Sequence, residues 1–210
     1  RNRNQGRSRR KIIRTMSRTA TIKRKTRETD IELVLSVDGS GRADISTGIG
    51  FFDHMLELFT KHGLFDLQLK ARGDLNVDAH HTVEDVGLAL GQALREALGD
   101  KKGLRRYGWC LLPMDDALAR IALDCSGRPF LAYEAPEEAG PIGDFPYQLI
   151  EEFLRAFSVQ GGLNPHVALL DGRDTHHMAE AVFKGLARSL DQATQIDPRV
   201  QGVPSTKGQL

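Results

Sequence analysis

A pattern of two adjacent histidines followed by a glutamate occurs twice in this chain, and the predicted secondary structure around it repeats as well. The first copy reads His80-His81-Thr82-Val83-Glu84 and the second reads His176-His177-Met178-Ala179-Glu180. Each copy opens a run of apolar residues at helical spacing, so each is predicted to lie in the first turn of a helix. A chain that repeats both a motif and its surroundings is expected to fold as two similar halves.

The order of predicted elements is the same in both halves: three strands, a helix, a strand and a helix. In the first half, strands are predicted near residues 21–25, 31–37, 43–46 and 67–71, and helices near 51–62 and 82–98. In the second half, strands are predicted near 107–113, 117–124, 129–133 and 165–170, and helices near 147–160 and 175–194. The predicted fold class is therefore α/β (α+β), a tandem duplication of a βββαβα unit. We divide the chain into a basic, disordered leader (1–17), two half-domains (18–100 and 101–196) and a tail (197–210).

Helical spacing predicts how each repeated motif can bind a metal ion. The first histidine and the glutamate are four residues apart and share one face of the helix, whereas the second histidine points about 100° away. Adjacent histidines are therefore expected to serve two different ions. A single copy could equally be a pair of surface polar residues at a helix start, but the repetition favours metal binding. Imidazoles and carboxylates without a thiolate suit Mn, Fe, Zn or Ni, and Cys110 and Cys125 lack ligand spacing.

Three further residues are candidates for the same metal centre. His54 lies at the start of a predicted helix, where core packing is the alternative role. Superimposing residues 51–60 on residues 149–158 puts Glu152 opposite His54, although a glutamate on such a helix is usually only solvated. His166, in the strand before the second motif, competes with Glu152 as a ligand.

The tail Pro204-Ser205-Thr206-Lys207-Gly208 offers hydroxyl, amide and ammonium donors of the kind that surround a phosphate. An ordinary disordered terminus is equally compatible with this composition. Arg106 and Arg128 are isolated cations with no periodic assignment, and Lys184 lies one helical turn beyond Glu180. These residues are candidates for binding an anionic substrate group.

The charge distribution separates a basic arm from an acidic body. Residues 1–27 contain twelve Lys or Arg and no acid, which leaves 17 basic and 28 acidic residues, a net charge of −11, in the remainder. An acidic body with 6% aromatic residues argues against a nucleic-acid-binding module, although the arm alone could bind such a partner. No apolar run is long enough for a membrane span, no signal peptide is recognisable and no disulfide framework is present, so a cytoplasmic location is expected.

The segments at residues 50–55, 78–85, 176–184 and 204–208 closely resemble those of the imidazoleglycerol-phosphate dehydratases of histidine biosynthesis, and the resemblance covers the chain from about Arg18 to Leu210. It implies a ribosomal-protein-S5-domain-2-like fold, with two four-stranded sheets and helices packed between them. It also implies a homo-oligomer of twenty-four subunits with metal sites at subunit interfaces. The implied reaction removes water from D-erythro-imidazole glycerol phosphate to give imidazole acetol phosphate, by way of a dimanganese-bound imidazolate.

The resemblance also assigns residue roles. The family's ligands for two Mn²⁺ per active site fall on His54, His80, His81, Glu84, Glu152, His176, His177 and Glu180. Glu152 stands where the family often has histidine, and a carboxylate can replace an imidazole on manganese. Catalytic roles fall on His54, on Glu180 as the acid/base group and on Glu28, which would hold the substrate hydroxyls. The phosphate would be bound by Arg106, Arg128, Lys184, Ser205 and Lys207. A dinuclear metal hydrolase is the alternative enzyme class, although more bridging aspartates would be expected there.

Overall fold

The computed structural model of the protein describes residues 18–136 and 139–210, so the predicted leader at 1–17 lies outside the described residues. The predicted duplication is confirmed: two four-stranded sheets are formed, and each half follows the order βββαβα. None of the helices in these two ranges combines the length and the apolar character needed to cross a membrane.

The first half forms a mixed sheet with strand order β1-β2-β4-β3. Three of its strands alternate between the core and solvent, as in β2, where Ile31, Leu33 and Leu35 are buried and Asp30 and Glu32 are exposed, whereas the edge strand β3 has no buried residue. Its elements are β1 (Thr19–Lys25), β2 (Thr29–Ser36), β3 (Ala43–Ser46), α1 (Gly50–Gly63), β4 (Asp66–Gly73) and α2 (His80–Leu98).

The second half repeats the arrangement with strand order β5-β6-β8-β7. Strand β7 is shorter and begins later than the predicted 129–133. Pro129 has no N–H to donate, and the Phe130 N–H donates to Leu163 O outside the ladder. The elements are β5 (Tyr107–Met114), β6 (Ala117–Asp124), β7 (Ala132–Glu134), α3 (Leu149–Gly161), β8 (Asn164–Asp171) and α4 (Thr175–Thr194).

The four helices form a layer between the two sheets, in which α1 packs against α4 and α2 packs against α3. Helix α2 also covers strands β1 and β2, and α4 covers β5 and β6. The helix pairing therefore joins the halves, because α1 and α2 come from the first half and α3 and α4 from the second. It brings the start of α1 close to the second histidine motif.

Helices α2 and α3 approach closely because α2 has glycine at two positions on the contact face. A Cβ atom on Gly91 would lie 2.5 Å from Phe157 O and 2.8 Å from Gly161 N, and one on Gly87 would lie 2.9 Å from Phe153 O. These neighbours are backbone atoms, which cannot move aside as a side chain can. The sequence pattern alone does not reveal this crossing.

Gly91→Ala is expected to destabilise the protein by about 1–3 kcal/mol, the usual cost of overpacking. Alanine's helix propensity would offset at most about 1 kcal/mol of this loss. Urea unfolding at one fixed subunit concentration measures the difference. Gly140→Ala is the matched control, since a Cβ there has no heavy atom within 4 Å. A Gly91→Ala protein as stable as the parent would mean that the two helices can separate freely.

Candidate metal centre

Both histidine motifs lie at the N-terminus of a long helix, as predicted. The backbone N–H of His80 donates to Asp78 Oδ1 and that of His176 donates to Asp174 Oδ1, both at 2.8 Å. An aspartate two residues before each motif thus satisfies a free N–H of the first turn. This shared capping fixes the correspondence of α2 with α4 at an offset of 96 residues.

One compact group of metal-ligand side chains is formed where α1 meets α4. His54 Nε2 lies 2.9 Å and His176 Nε2 lies 3.1 Å from Glu180 Oε1. One ligand atom from each of the three residues lies within 4.8 Å of the others. Two imidazole nitrogens and a carboxylate oxygen converging at this spacing fit a divalent transition ion. Residues 126 positions apart in the sequence are thus brought together by helix packing.

The carboxylate of Glu180 is held in its ionised form by its neighbours. Burial alone would raise its pKa, but hydrogen bonds from Lys184 and His54 outweigh burial and lower the pKa to about 2. Lys184 Nζ donates to Glu180 Oε2 at 2.6 Å and lies 3.2 Å from Met114 Sδ. An ionised carboxylate with both oxygens engaged is suited to metal binding and poorly suited to accepting a proton near neutral pH.

The equivalent group in the other half is more open. Helices α1 and α3 end in the same way: Leu64 and Gly162, both in the left-handed conformation, donate their backbone N–H groups to Thr60 O and Ser158 O. The two helices therefore correspond at an offset of 98 residues. This offset again puts Glu152 opposite His54. His80 Nε2 lies 3.7 Å from Glu84 Oε2, and Glu152 forms no ion pair with any described residue.

The second histidine of each motif points away from these groups, as helical spacing predicts. The ring planes of His80 and His81 are inclined by 82°, and those of His176 and His177 by 78°. His81 Nε2 lies 3.9 Å from Glu28 Oε1, in the turn between β1 and β2. The second histidine of each motif therefore contacts the neighbouring turns, whereas the first lies nearest the glutamate of its own motif.

Two aspartates that the sequence analysis does not identify contact the second histidine of each motif. His81 Nδ1 lies 3.0 Å from Asp74 Oδ2, and His177 Nδ1 lies 2.6 Å from Asp116 Oδ1. These hydrogen bonds raise the pKa of both imidazoles and, for Asp116, hold the pKa of the carboxyl well below its usual range. The only sequence signal was the position of Asp115-Asp116 in a predicted hairpin turn.

Four of the five residues predicted to bind phosphate line one pocket of about 560 Å³; these are Arg106, Arg128, Ser205 and Lys207. Tyr107, Pro204 and Thr206 complete its lining. Arg106 pairs with Asp124 and donates to Pro204 O at 2.8 Å, which fixes the tail against β5. Within the described ranges neither Arg128 nor Lys207 forms an ion pair. The pocket thus has two cationic groups available for an anion.

Two predicted candidates lie elsewhere. Lys184 donates to Glu180 beside the metal group. It does not line the pocket formed by the other four residues predicted to bind phosphate. His166 is exposed on the outer face of the second sheet, where its ring centroid lies 5.9 Å from that of Phe130. The helices cover the opposite face of this sheet, so His166 is apart from the ligand groups.

Comparison with known proteins gives one family. Residues 47–190 match the family model described as imidazoleglycerol-phosphate dehydratase. The chain is 56% identical over 195 residues to imidazoleglycerol-phosphate dehydratase of Acetivibrio thermocellus, covering 93% of this chain and 100% of that protein. It is 58% identical over 193 residues to that of Thermoanaerobacter pseudethanolicus, covering 92% and 100%.

Solved structures agree. The crystal structure of imidazoleglycerol-phosphate dehydratase from Staphylococcus aureus superimposes with a TM-score of 0.77 at 38% identity, covering 85% of this chain and 99% of that one. The structure from Pyrococcus furiosus gives 0.78 at 35% identity, covering 90% and 100%.

Proposed function

The chain belongs to the imidazoleglycerol-phosphate dehydratase family, a family of hydro-lyases in histidine biosynthesis, and from this premise we propose its substrate and the roles of its residues. The substrate is D-erythro-imidazole glycerol phosphate and the product is imidazole acetol phosphate. The hydroxyl leaves the carbon that carries the imidazole, a proton leaves the neighbouring carbon, and the resulting enol becomes the ketone. The observation that supports this best is the convergence of His54, His176 and Glu180.

The resident metal is Mn²⁺, with two ions in each active site. His54, His176 and Glu180 would hold one ion, and His80, Glu84 and Glu152 would contribute to the other. His81 and His177 would each complete the shell of an ion held by another copy of the chain. When bound, the ions act as Lewis acids that stabilise negative charge on the substrate imidazole. Lys184 keeps Glu180 ionised for this role.

The phosphate of the substrate is bound in the pocket formed by Arg106, Arg128, Ser205 and Lys207. Arg128 and Lys207 supply charge, and Arg106, held by Asp124, supports the tail through its hydrogen bond to Pro204 O. Lys184 would reach the phosphate only from the metal side of the site. A phosphate dianion is well matched to one free guanidinium and one ammonium.

The active site is assembled from more than one copy of the chain. Arg106 precedes the first residue of β5, whereas Met114, its last residue, touches Lys184 beside Glu180. Seven strand steps of about 3.3 Å separate the pocket from the metal group by about 23 Å. The substrate spans roughly 8 Å between its phosphate and its imidazole, given bonds of about 1.5 Å. One substrate molecule therefore cannot reach both regions of the same chain.

An apolar surface beside the pocket supports contact between copies. Tyr107, Trp109, Leu111 and Phe130 are 51%, 67%, 62% and 56% exposed on or beside the outer face of the second sheet. The equivalent face of the first sheet carries charged side chains such as Lys23 and Glu32. Exposed aromatic and aliphatic groups of this size mark interaction surfaces. The expected assembly is the family's homo-oligomer of twenty-four subunits.

We assign proton transfer from the substrate carbon to Glu28 rather than to Glu180. Glu180 has a pKa of about 2 and both of its oxygens are engaged. The side chain of Glu28 is 54% exposed in the β1–β2 turn, with Oε1 3.9 Å from His81 Nε2. Glu28 can therefore approach a substrate bound beside the ring of His81. The two free thiols, Cys110 and Cys125, suit a reducing cytoplasm as the compartment.

The assay that tests the function follows two products in parallel. Mn²⁺-loaded protein is incubated with imidazole glycerol phosphate, and the ketone product and inorganic phosphate are measured together. Dehydration gives the ketone without phosphate release. Phosphate release from this substrate or from a simple aryl phosphate, without ketone, would instead identify a dinuclear hydrolase.

Glu28→Gln is expected to lower kcat by about 10²–10⁴, the usual contribution of a general acid or base. Glutamine keeps the size and hydrogen-bonding shape of the side chain but cannot take a proton. Mn²⁺ affinity, measured by the electron paramagnetic resonance signal of free Mn²⁺, should stay at the parent value. Glu32→Gln, an exposed glutamate on β2, is the control. An unchanged kcat in Glu28→Gln would mean that another carboxylate transfers the proton.

A further inference from the structure

His81 and His177 differ from the other ligand histidines in having an aspartate at Nδ1. The two Nδ1···Oδ distances are 3.0 Å to Asp74 and 2.6 Å to Asp116. Within residues 18–136 and 139–210, none of the other three ligand histidines has a carboxylate in hydrogen-bond range of its Nδ1. The histidines with this contact are the second histidines of the two motifs, whose Nε2 atoms lie nearest Glu28 and Asp115.

The duplication does not explain the two aspartates. Asp74 follows β4, and the position corresponding to it after β8 is Gly172. Asp116 lies in the turn between β5 and β6, whose counterpart in the first half is the turn that contains Glu28. The same hydrogen bond is thus made from two loop positions that are not equivalent. Duplication of one ancestral half would give the same contact from equivalent positions. Because the positions differ, we attribute both contacts to a need for a hydrogen-bond acceptor at Nδ1 of these histidines.

The contact determines which ring nitrogen is free. An ionised carboxylate can only accept a hydrogen bond, so Nδ1 carries the proton and Nε2 keeps its lone pair for a metal ion. Asp116 is itself fixed, because it accepts backbone N–H bonds from Arg173 at 2.6 Å and Asp174 at 3.0 Å. Asp74 Oδ1 is buried without a partner in the described residues, a cost that a purely structural aspartate would avoid.

We propose that Asp74 and Asp116 are positioning residues that hold His81 and His177 with Nε2 turned away from the aspartate, as the ligand atom for an ion shared with a second copy of the chain. The inference rests on the proposed function for the metal but not on the chemistry of the dehydration. On the Nε2 side, Glu28 and Asp115 lie 3.9 Å and 3.5 Å away, in range of an ion pair but beyond a hydrogen bond. The lone pair is therefore accessible before the ion binds.

The test measures Mn²⁺ affinity in Asp74→Asn and Asp116→Asn by titration with electron paramagnetic resonance detection. An amide can also donate, so it no longer enforces the Nδ1–H tautomer, and affinity is expected to fall by about 10–100-fold. Asp44→Asn, on β3, is the matched control. Unfolding midpoints of the metal-free proteins separate a loss of affinity from a loss of fold.

A double variant distinguishes positioning from a general structural effect. If Asp116 acts through the imidazole, Asp116→Asn should cost no further affinity in a His177→Ala background. Parent-like affinity in both asparagine variants, or full additivity in the double variant, would overturn the proposal. If the parent binds Mn²⁺ but forms no ketone, the proposed reaction is refuted. The Mn²⁺ affinities of the asparagine variants relative to the parent would still test the roles of the two aspartates. A parent that binds no divalent ion overturns both.

Discussion

Protein stripped of divalent ions is expected to form no imidazole acetol phosphate above background, and added Mn²⁺ is expected to restore turnover. The reaction breaks a C–O bond and a C–H bond that the side chains alone do not activate, so the stabilisation of charge on the substrate must come from the ions. His54, His176 and Glu180 are already gathered within 4.8 Å, so binding needs little rearrangement. Ketone formation before and after dialysis against a chelator, with metal content measured in each sample, checks this expectation.

Variants separate the metal centre from a general need for divalent ions. Glu180→Gln should remain inactive after addition of the Mn²⁺ concentration that fully restores the parent, because a neutral amide is a weak ligand and leaves Lys184 without its partner. His166→Ala should be restored like the parent, since His166 is exposed on the outer face of the second sheet. Full turnover by protein shown to contain no metal would refute the proposed chemistry.

The fold was largely predictable because its signals are local. Strand alternation and helical spacing predict every element; α4 begins at Thr175 as predicted, whereas α2 begins at His80, two residues before the predicted start. The failure at β7 is physical, since a short edge strand after Pro129 depends on its neighbour β8 more than on its own sequence. The sequence does not indicate that His54 joins the second motif rather than the first, because that partnership depends on α1 packing against α4.

The unpredicted parts of the site depend on loops and on close packing. Asp74 and Asp116 lie in turns, where nothing in the sequence spacing indicates which side chain they will contact. The proximity of Lys184 to Glu180 follows from their spacing of one helical turn, but spacing does not show that Lys184 lies apart from the pocket of Arg106, Arg128, Ser205 and Lys207. The separation of the pocket from the metal group follows from the direction of β5, which sequence patterns do not provide.

That separation predicts complementation between two inactive proteins. Arg128→Ala removes a cation from the pocket, and Glu180→Gln disables the metal group. If each active site takes its pocket from one copy and this metal group from another, random co-assembly should leave about a quarter of the sites intact. Coexpression with two different tags, purification over both, and measurement of ketone formation per subunit test this expectation. Each variant alone should be inactive or nearly so.

The control combines two defects on the same side of the site. Arg128→Ala coexpressed with Lys207→Ala should recover no more activity than the better of the two alone, because every pocket in the mixture then lacks a cation. Recovery only in the first mixture requires that different copies supply the two regions. No recovery in a mixed assembly of verified composition would mean that each chain uses its own pocket and metal group. That outcome would contradict the separation of about 23 Å that the length of β5 implies between the pocket and the metal group, since the substrate is much shorter than this distance.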